Sequence, residues 1–371
     1  MRKTKRRKKL SLRKTLRILL PLTIIILLLI NKNNLINLYL SKTTGYQEES
    51  ISIFLEKDIY KDIKNKEYSK NLEEIISTEY FNPKYTIEYT EIKYHDKDNF
   101  FSNINTLLDL GYTSKDINTI YDKLSDNSIN ILINKDYMKD LTNILNLNYF
   151  IEDNLERYLN YSKIDADNAI VYVNIGLDND YYENVEKITD QYDILVLVNK
   201  YHYLDKSYVP NDLETINFKY QWLGRSNTLR KEARIAFEKM CEDAIKDNIY
   251  LYAGSGYRSY NTQLSLYNTY VKRDGFKEAE TYSARAGYSE HQTGLAMDIA
   301  NKSGFISDGD KEYTWLLENS YKYGYILRYP EGKEQITGYM KEEWHYRYVG
   351  TEVAKNIYNQ KITYDEYIAM Q

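Results

Sequence analysis

Two of the four histidines in this 371-residue chain stand in segments that could hold a metal. The first segment is Ser289-Glu290-His291-Gln292-Thr293-Gly294-Leu295-Ala296-Met297-Asp298-Ile299-Ala300. Leu295, Met297 and Ile299 alternate with Ala296, Asp298 and Ala300, the period of a strand with one face on a core. Asp298 then projects from the other face between two alanines, which leave room beside it. A turn at Gly294 can bring His291 and Asp298 together. The second segment, Glu342-Glu343-Trp344-His345-Tyr346-Arg347-Tyr348, offers another imidazole with a carboxylate nearby. Two neutral imidazoles and one carboxylate suit zinc and leave a fourth position for water. Zinc acidifies that water and polarises a carbonyl. A neighbouring Glu can take the proton and return it to a leaving amine. Spacing by itself leaves a second reading open: a hydrogen-bonded histidine and an aspartate in a turn.

The elements that must position these residues lie around them. Ile194-Leu195-Val196-Leu197-Val198 reads as a short buried strand, and Pro210-Asn211 as a turn. An amphipathic helix is expected over 230–246, a strand over 249–253 and a helix over 261–272. Another helix is expected over 312–323, with Gly324 just past its end. Residues 325–327 and 344–349 are strand-like. Strands alternating with helices, without a Gly-rich nucleotide loop, predict a compact α+β domain over 191–371. The single cysteine, Cys241, rules out an internal disulfide and a cysteine-based zinc finger. Its helical spacing with Ala233, Phe237, Met240 and Ala244 places it in a core.

Residues 41–190 read as a mostly helical spacer, with a helix end at Gly111 and a new N-cap at Thr113 or Ser114. This region carries no recognisable site chemistry, and His95 reads as a solvated surface histidine. Ahead of it, residues 1–32 hold eleven Lys or Arg and no acidic residue, leaving −15 on the rest of a chain whose net charge is −4. The basic run could be a nucleic-acid arm. It leads, however, straight into the uncharged apolar run of residues 18–30. Extended to residue 40, that run predicts a transmembrane signal anchor over 18–40, behind a cytoplasmic tail over 1–17. The expectation is a single-pass protein of the cytoplasmic membrane, its catalytic domain outside, with no nucleic-acid partner. The 41 tyrosines match the codon bias of an AT-rich genome and supply amphipathic surface suited to sugars or peptides.

Four blocks carry a family likeness. They are Val198-Asn199-Lys200-Tyr201 with Tyr208-Val209-Pro210-Asn211-Asp212-Leu213; Ser255-Gly256-Tyr257-Arg258-Ser259-Tyr260 with Gln263; Ser289 to Gly294 through Asp298; and Gly324 to Pro330 through Thr337-Gly338 to Trp344-His345-Tyr346-Arg347-Tyr348-Val349-Gly350. Residues 193–350 thereby resemble the VanY-type zinc D,D-/L,D-carboxypeptidases of bacterial cell walls, which include LdcB-like enzymes. The resemblance implies a small antiparallel sheet flanked by helices, of the hedgehog/D,D-peptidase type. It implies one zinc held by His291, Asp298 and His345, with Glu342 as general base. Arg258 would stabilise the oxyanion and orient substrate, a role that suits a fixed cation beside a polarised carbonyl. Gln263 and Ser289 would line the substrate pocket. The implied partner is the peptidoglycan stem peptide, losing its terminal D-alanine. An endopeptidase with the same site is the near alternative, and a non-catalytic wall-binding module the distant one.

One departure stands out. Glu343 occupies a position where the family commonly has proline, and a second carboxylate could compete with Glu342. Strand alternation would put Glu343, not Glu342, on the side of His345, so a bend is required between them. His202 reads as structural. Arg328 reads either as a structural ion-pair partner or as a substrate-carboxylate ligand.

Overall fold

The computed structural model of the chain describes residues 34–165 and 167–371, with Pro21 and Lys32. Of the expected anchor over 18–40, residues 18–20, 22–31 and 33 lie outside the described residues. Among the described residues, no helix is long and apolar enough to cross a membrane. That finding overturns the single-pass localisation and leaves the partnership with the cytoplasmic membrane without support. Residues 34–43 are helical, yet they include Asn34, Asn37, Ser41 and Lys42. Polar groups at that density are costly in hydrocarbon, where several kcal/mol attach to each unsatisfied one.

The chain divides into two compact units, Met1–Leu147 and Asn148–Gln371. The first is built of short helices, among them Phe100–Leu110 and Ser114–Lys123. Gly111 ends the former in a left-handed conformation, and Thr113 caps the latter in a reciprocal capping box with Asp116. His95 differs from expectation. It is half-buried, its ring stacked at 5.0 Å on Tyr121 and tilted against Phe100. Two aromatic neighbours brought by other helices desolvate it, and burial lowers its pKa.

A structural motif occurs twice, once in each unit. In the first, Asn82 N donates to Tyr89 Oη, Tyr89 Oη donates to Asn105, and Asn105 Nδ2 donates to the Tyr80 carbonyl. In the second, Ile151 N donates to Tyr158 Oη, Tyr158 Oη to Asn174, and Asn174 Nδ2 to the Tyr149 carbonyl. Every partner stands 69 residues after its counterpart. The rings agree as well: Phe81–Tyr89 centroids are 5.9 Å apart at 45°, and Phe150–Tyr158 centroids 5.7 Å apart at 44°. The helical region therefore contains a duplicated module held by the same tyrosine–asparagine lock.

The second unit carries eight strands among the described residues. Strands β1 (Glu186–Lys187) and β2 (His202–Tyr203) form a parallel pair; β3 (Leu213–Thr215) and β4 (Thr228–Arg230) an antiparallel one. Strands β5 (Tyr252–Ser255), β6 (Ala296–Ala300), β7 (Tyr325–Leu327) and β8 (His345–Tyr348) make an antiparallel sheet in the order β5-β6-β8-β7. The α+β expectation holds in this coarse form. Helix Lys231–Lys246 buries Ala233, Phe237, Met240, Cys241 and Ala244 in the same core as Leu295, Met297, Ile299, Tyr346 and Tyr348. One sheet face is thus filled with apolar side chains, and the alternation across β6 and β8 leaves Asp298 and His345 on the other.

Residues 194–198, of which Val196 and Val198 are buried and the other three half-buried, form no strand. Arg347 supplies the reason: its guanidinium donates to the carbonyls of both Ile194 and Val196, at 2.9 Å each. A side chain satisfies these backbone groups where a neighbouring strand would otherwise be needed.

Candidate metal centre and active site

Asp298 and His345 are cross-strand partners in the β6–β8 register, and Ser255 of β5 faces Asp298 on its other side. Paired residues on one face of an antiparallel sheet lie close enough to interact. His291 reaches the same point from the short 3₁₀ turn Glu290–Thr293. Gly294 closes that turn at φ 68°, a left-handed conformation that favours glycine. A Cβ there would also stand 2.8 Å from Leu213 Cδ2. The expected turn between the two ligand positions is therefore present, and its residue type is dictated by both conformation and space.

Ring orientations are set from behind. His291 Nδ1 lies 2.7 Å from the Gly256 carbonyl, so it carries the proton and leaves Nε2 with its lone pair facing Asp298. A Cβ on Gly256 would meet the Thr228 carbonyl at 2.4 Å, so only glycine lets that backbone approach. His345 is turned the other way, its Nε2 3.3 Å from Glu290 and its Nδ1 facing Asp298. Each imidazole thus has a backbone or carboxylate partner on its outer nitrogen, as metal-binding histidines do.

The donor spacing fits zinc. Asp298 Oδ1 is 3.3 Å from His291 Nε2 and 3.3 Å from His345 Nδ1. It is buried and makes a hydrogen bond to neither. Tetrahedral zinc with bonds of about 2.0–2.1 Å separates its donors by roughly 3.3 Å. The three donor atoms lie within 4.8 Å of one another, and all three residues are buried.

The charge environment points the same way. Burial lowers the His291 pKa, and the Arg258 guanidinium adds to the effect, which favours the neutral ring that a metal needs. Burial works to raise the Asp298 pKa, but His291 and Arg258 outweigh it and hold the group well below the usual carboxylate range. Burial alone would lower the His345 pKa; the carboxylates of Asp298, Glu290 and Glu342 around the ring hold it well above the usual histidine range. A divalent cation answers the same concentration of negative charge.

Glu342 stands at the edge of this set, buried, with Oε2 3.4 Å from His345 Nδ1. The bend required of the chain is there: Glu343 and Trp344 form a turn, and His345 N meets the Glu342 carbonyl at 3.4 Å. Glu343 is directed to Lys341, 3.5 Å away. Arg258 Nη2 pairs with Asp298 Oδ2, and its Nε donates to Ser255 Oγ at 2.9 Å. Gln263 is buried, with Oε1 3.5 Å from Arg258 and Nε2 donating to the Ala284 carbonyl at 2.8 Å. The structure therefore gathers His291, Asp298, His345, Glu342, Arg258 and Gln263. Ser289 is buried at the start of the 3₁₀ turn, with no hydrogen bond from its hydroxyl to the other six among the described residues.

Glu290 escaped the sequence reading. Its side chain is 0% exposed, paired with Arg328 at 2.8 Å and Arg347 at 3.1 Å. In the sequence it is one more charged residue beside a ligand, and nothing there marks it as buried. Arg328 is fully paired inside the protein, with Glu290 and with Asp365 at 2.6 Å, which settles it as a structural cation. His202 is half-buried and faces Asn199, 3.0 Å away.

A small antiparallel sheet that presents a buried imidazole–carboxylate–imidazole set, with a carboxylate and a guanidinium at its edge, defines a metal-dependent hydrolase. Residues 226–351 match the family model VanY, described as D-alanyl-D-alanine carboxypeptidase. The chain is 39% identical, over 52% of its length and 75% of the relative's, to YodJ of Bacillus subtilis (strain 168), a protein assigned to the carboxypeptidases. It is 43% identical to a D-alanyl-D-alanine carboxypeptidase of Enterococcus faecalis, over 38% of this chain and 57% of that one. A solved structure of the vancomycin-resistance D,D-pentapeptidase VanY in complex with Zn(II) is 37% identical over 47% of this chain and 98% of its own, with a TM-score of 0.40. The chain belongs to the VanY D-alanyl-D-alanine carboxypeptidase family.

Proposed function

We propose that the chain is a zinc carboxypeptidase that releases the terminal D-alanine of peptidoglycan stem peptides. The observation that carries this reading is the donor triangle: two imidazole nitrogens, each 3.3 Å from a buried carboxylate oxygen that makes no hydrogen bond. Zinc held by His291, Asp298 and His345 supplies an acidified water and Lewis-acid polarisation of the scissile carbonyl.

The chain's own residues supply the rest. Glu342 takes a proton from water and delivers it to the leaving amine, the two halves of general base and general acid work. Burial raises its pKa, which makes the carboxylate a better base than an exposed one. Arg258 is held by Ser255 and Asp298 so that its charge stands beside the donor set, where an oxyanion develops. Gln263, fixed by the Ala284 carbonyl, backs that guanidinium. Ser289, two residues before His291 in the chain, takes the pocket-lining role that the family likeness implies.

Mass spectrometry of pentapeptide and tetrapeptide muropeptides after incubation with the full chain tests the reading. Loss of a single D-alanine from either substrate is the expected result, and which one loses it separates D,D- from L,D-cleavage. Intact peptides, or fragments cut only at internal bonds, would overturn it.

A further inference from the structure

A buried chain of charges runs from the metal centre to the C-terminal helix Tyr364–Ala369. Glu290 Oε2 faces His345 Nε2 at 3.3 Å, while Oε1 accepts from Arg328 Nε at 2.8 Å and Arg347 Nη1 at 3.1 Å. Arg328 turns its other nitrogens to Asp365, Nη1 to Oδ2 at 2.6 Å and Nη2 to Oδ1 at 3.3 Å. Asp365 also accepts from Asn199 Nδ2 at 3.0 Å. The four charged side chains are at most 1% exposed, and their charges balance two against two. Burying four charges is expensive, and apolar residues packed in the same volume often stabilise as well or better. What apolar residues cannot supply is a fixed negative oxygen behind a metal-binding imidazole.

We propose that Asp365 is a positioning residue for His345, acting through Arg328 and Glu290, so that the C-terminal helix is a working part of the metal centre. The inference rests on His345 being a metal ligand. Glu290 Oε1 is shared by two guanidinium groups, which leaves Oε2 for the imidazole. Arg328 can share Glu290 in this way because Asp365 takes its remaining donors. Without the Asp365 charge, Arg328 turns wholly on Glu290 and draws Oε2 from His345 Nε2. The ring then loses the acceptor that keeps Nδ1 toward Asp298. Asp365 is itself fixed by the Thr363–Glu366 capping box around it, Thr363 N to Glu366 Oε2 at 2.7 Å and Glu366 N to Thr363 Oγ1 at 3.1 Å. It lies beyond the segment that the family model matches.

The test uses the full chain and the near-isosteric Asp365→Asn, which removes the charge and keeps an acceptor. Zinc affinity is measured by competition with a chromogenic chelator, alongside the melting temperature. Changes behind a metal ligand typically cost about 10- to 100-fold in metal affinity, and the lower end is expected here. Ile368→Ala serves as the control: it loosens the same helix, packed in a separate apolar cluster, without touching the charges. It should lower the melting temperature and leave zinc affinity unchanged. Wild-type affinity in Asp365→Asn overturns the proposal, as does an equal loss in Ile368→Ala, which would make helix docking the cause. A wild-type chain that takes up no zinc removes the metal reading itself, and this proposal with it.

Discussion

The Glu342 carboxylate and the His345 imidazole lie on the same side of the chain, Oε2 to Nδ1 at 3.4 Å, because a turn at Glu343 and Trp344 precedes β8. An uninterrupted strand would have presented Glu343 instead. The turn sends Glu343 to Lys341 and leaves Glu342 beside the donor set. Glu342→Gln should therefore keep its zinc and lose roughly 100- to 10,000-fold in kcat, the usual worth of a positioned acid–base group. Glu343→Gln should stay within a few fold of wild type. Steady-state kinetics with zinc analysis of both variants decides between the two carboxylates.

Metal removal should destabilise the second unit. Saturation at a thousand times Kd is worth about 4 kcal/mol. Dialysis against a chelator should lower the melting temperature, and added zinc should restore it. His291→Ala should show the apo melting temperature with or without zinc, read by scanning calorimetry.

Gly294→Ala tests the turn between His291 and Asp298. A left-handed conformation costs an L-residue roughly 1–2 kcal/mol, and the new Cβ would press on Leu213. The variant should be less stable in urea denaturation and bind zinc more weakly, since relief of the clash displaces His291 relative to β6.

Lys200 should make stability rise with pH above neutrality. It is buried beneath Tyr181 and Tyr339, its Nζ donating to the Glu280 carbonyl, and burial pulls its pKa down to about 8. Between about 8 and the ordinary 10.5, the unfolded chain binds a proton that the folded one has lost. Stability rises with pH wherever the unfolded state binds more protons. The gain is complete near 10.5 and amounts to at most roughly 3 kcal/mol. Lys200→Met should remove this rise, visible as the difference between wild-type and variant melting temperatures from pH 7.5 to 9.5.

Local pattern was enough for much of the site. The alternation around Asp298, the glycine between it and His291, and the helix carrying Cys241 each depend on residues near in sequence, where backbone sterics and periodicity act. The helix end at Gly111 followed from such patterns, and the candidate zinc donor set from the motif blocks of the family likeness. The duplicated tyrosine–asparagine lock was also written in the chain, but at an interval of 69 residues that short-range periodicity does not scan. The membrane anchor rested on an apolar run that the polar residues after it do not continue among the described helices.

Tertiary structure alone decided the rest. Residues 194–198 have a strand's composition, yet a distant arginine takes the Ile194 and Val196 carbonyls, and no ladder forms. His95 sits between charged residues in sequence, and its burial comes from rings on other helices. Glu290 and Asp365 are ordinary acidic residues until Arg328 is placed between them. Periodicity and turn chemistry act between neighbours along the chain, and so the sequence by itself determined the alternation that turns Asp298 away from the core face and the turn that joins it to His291; the third member of the candidate donor set, His345, came from the family likeness. Burial and charge pairing depend on which distant segments meet, and so only the folded molecule determined what surrounds His291, Asp298 and His345.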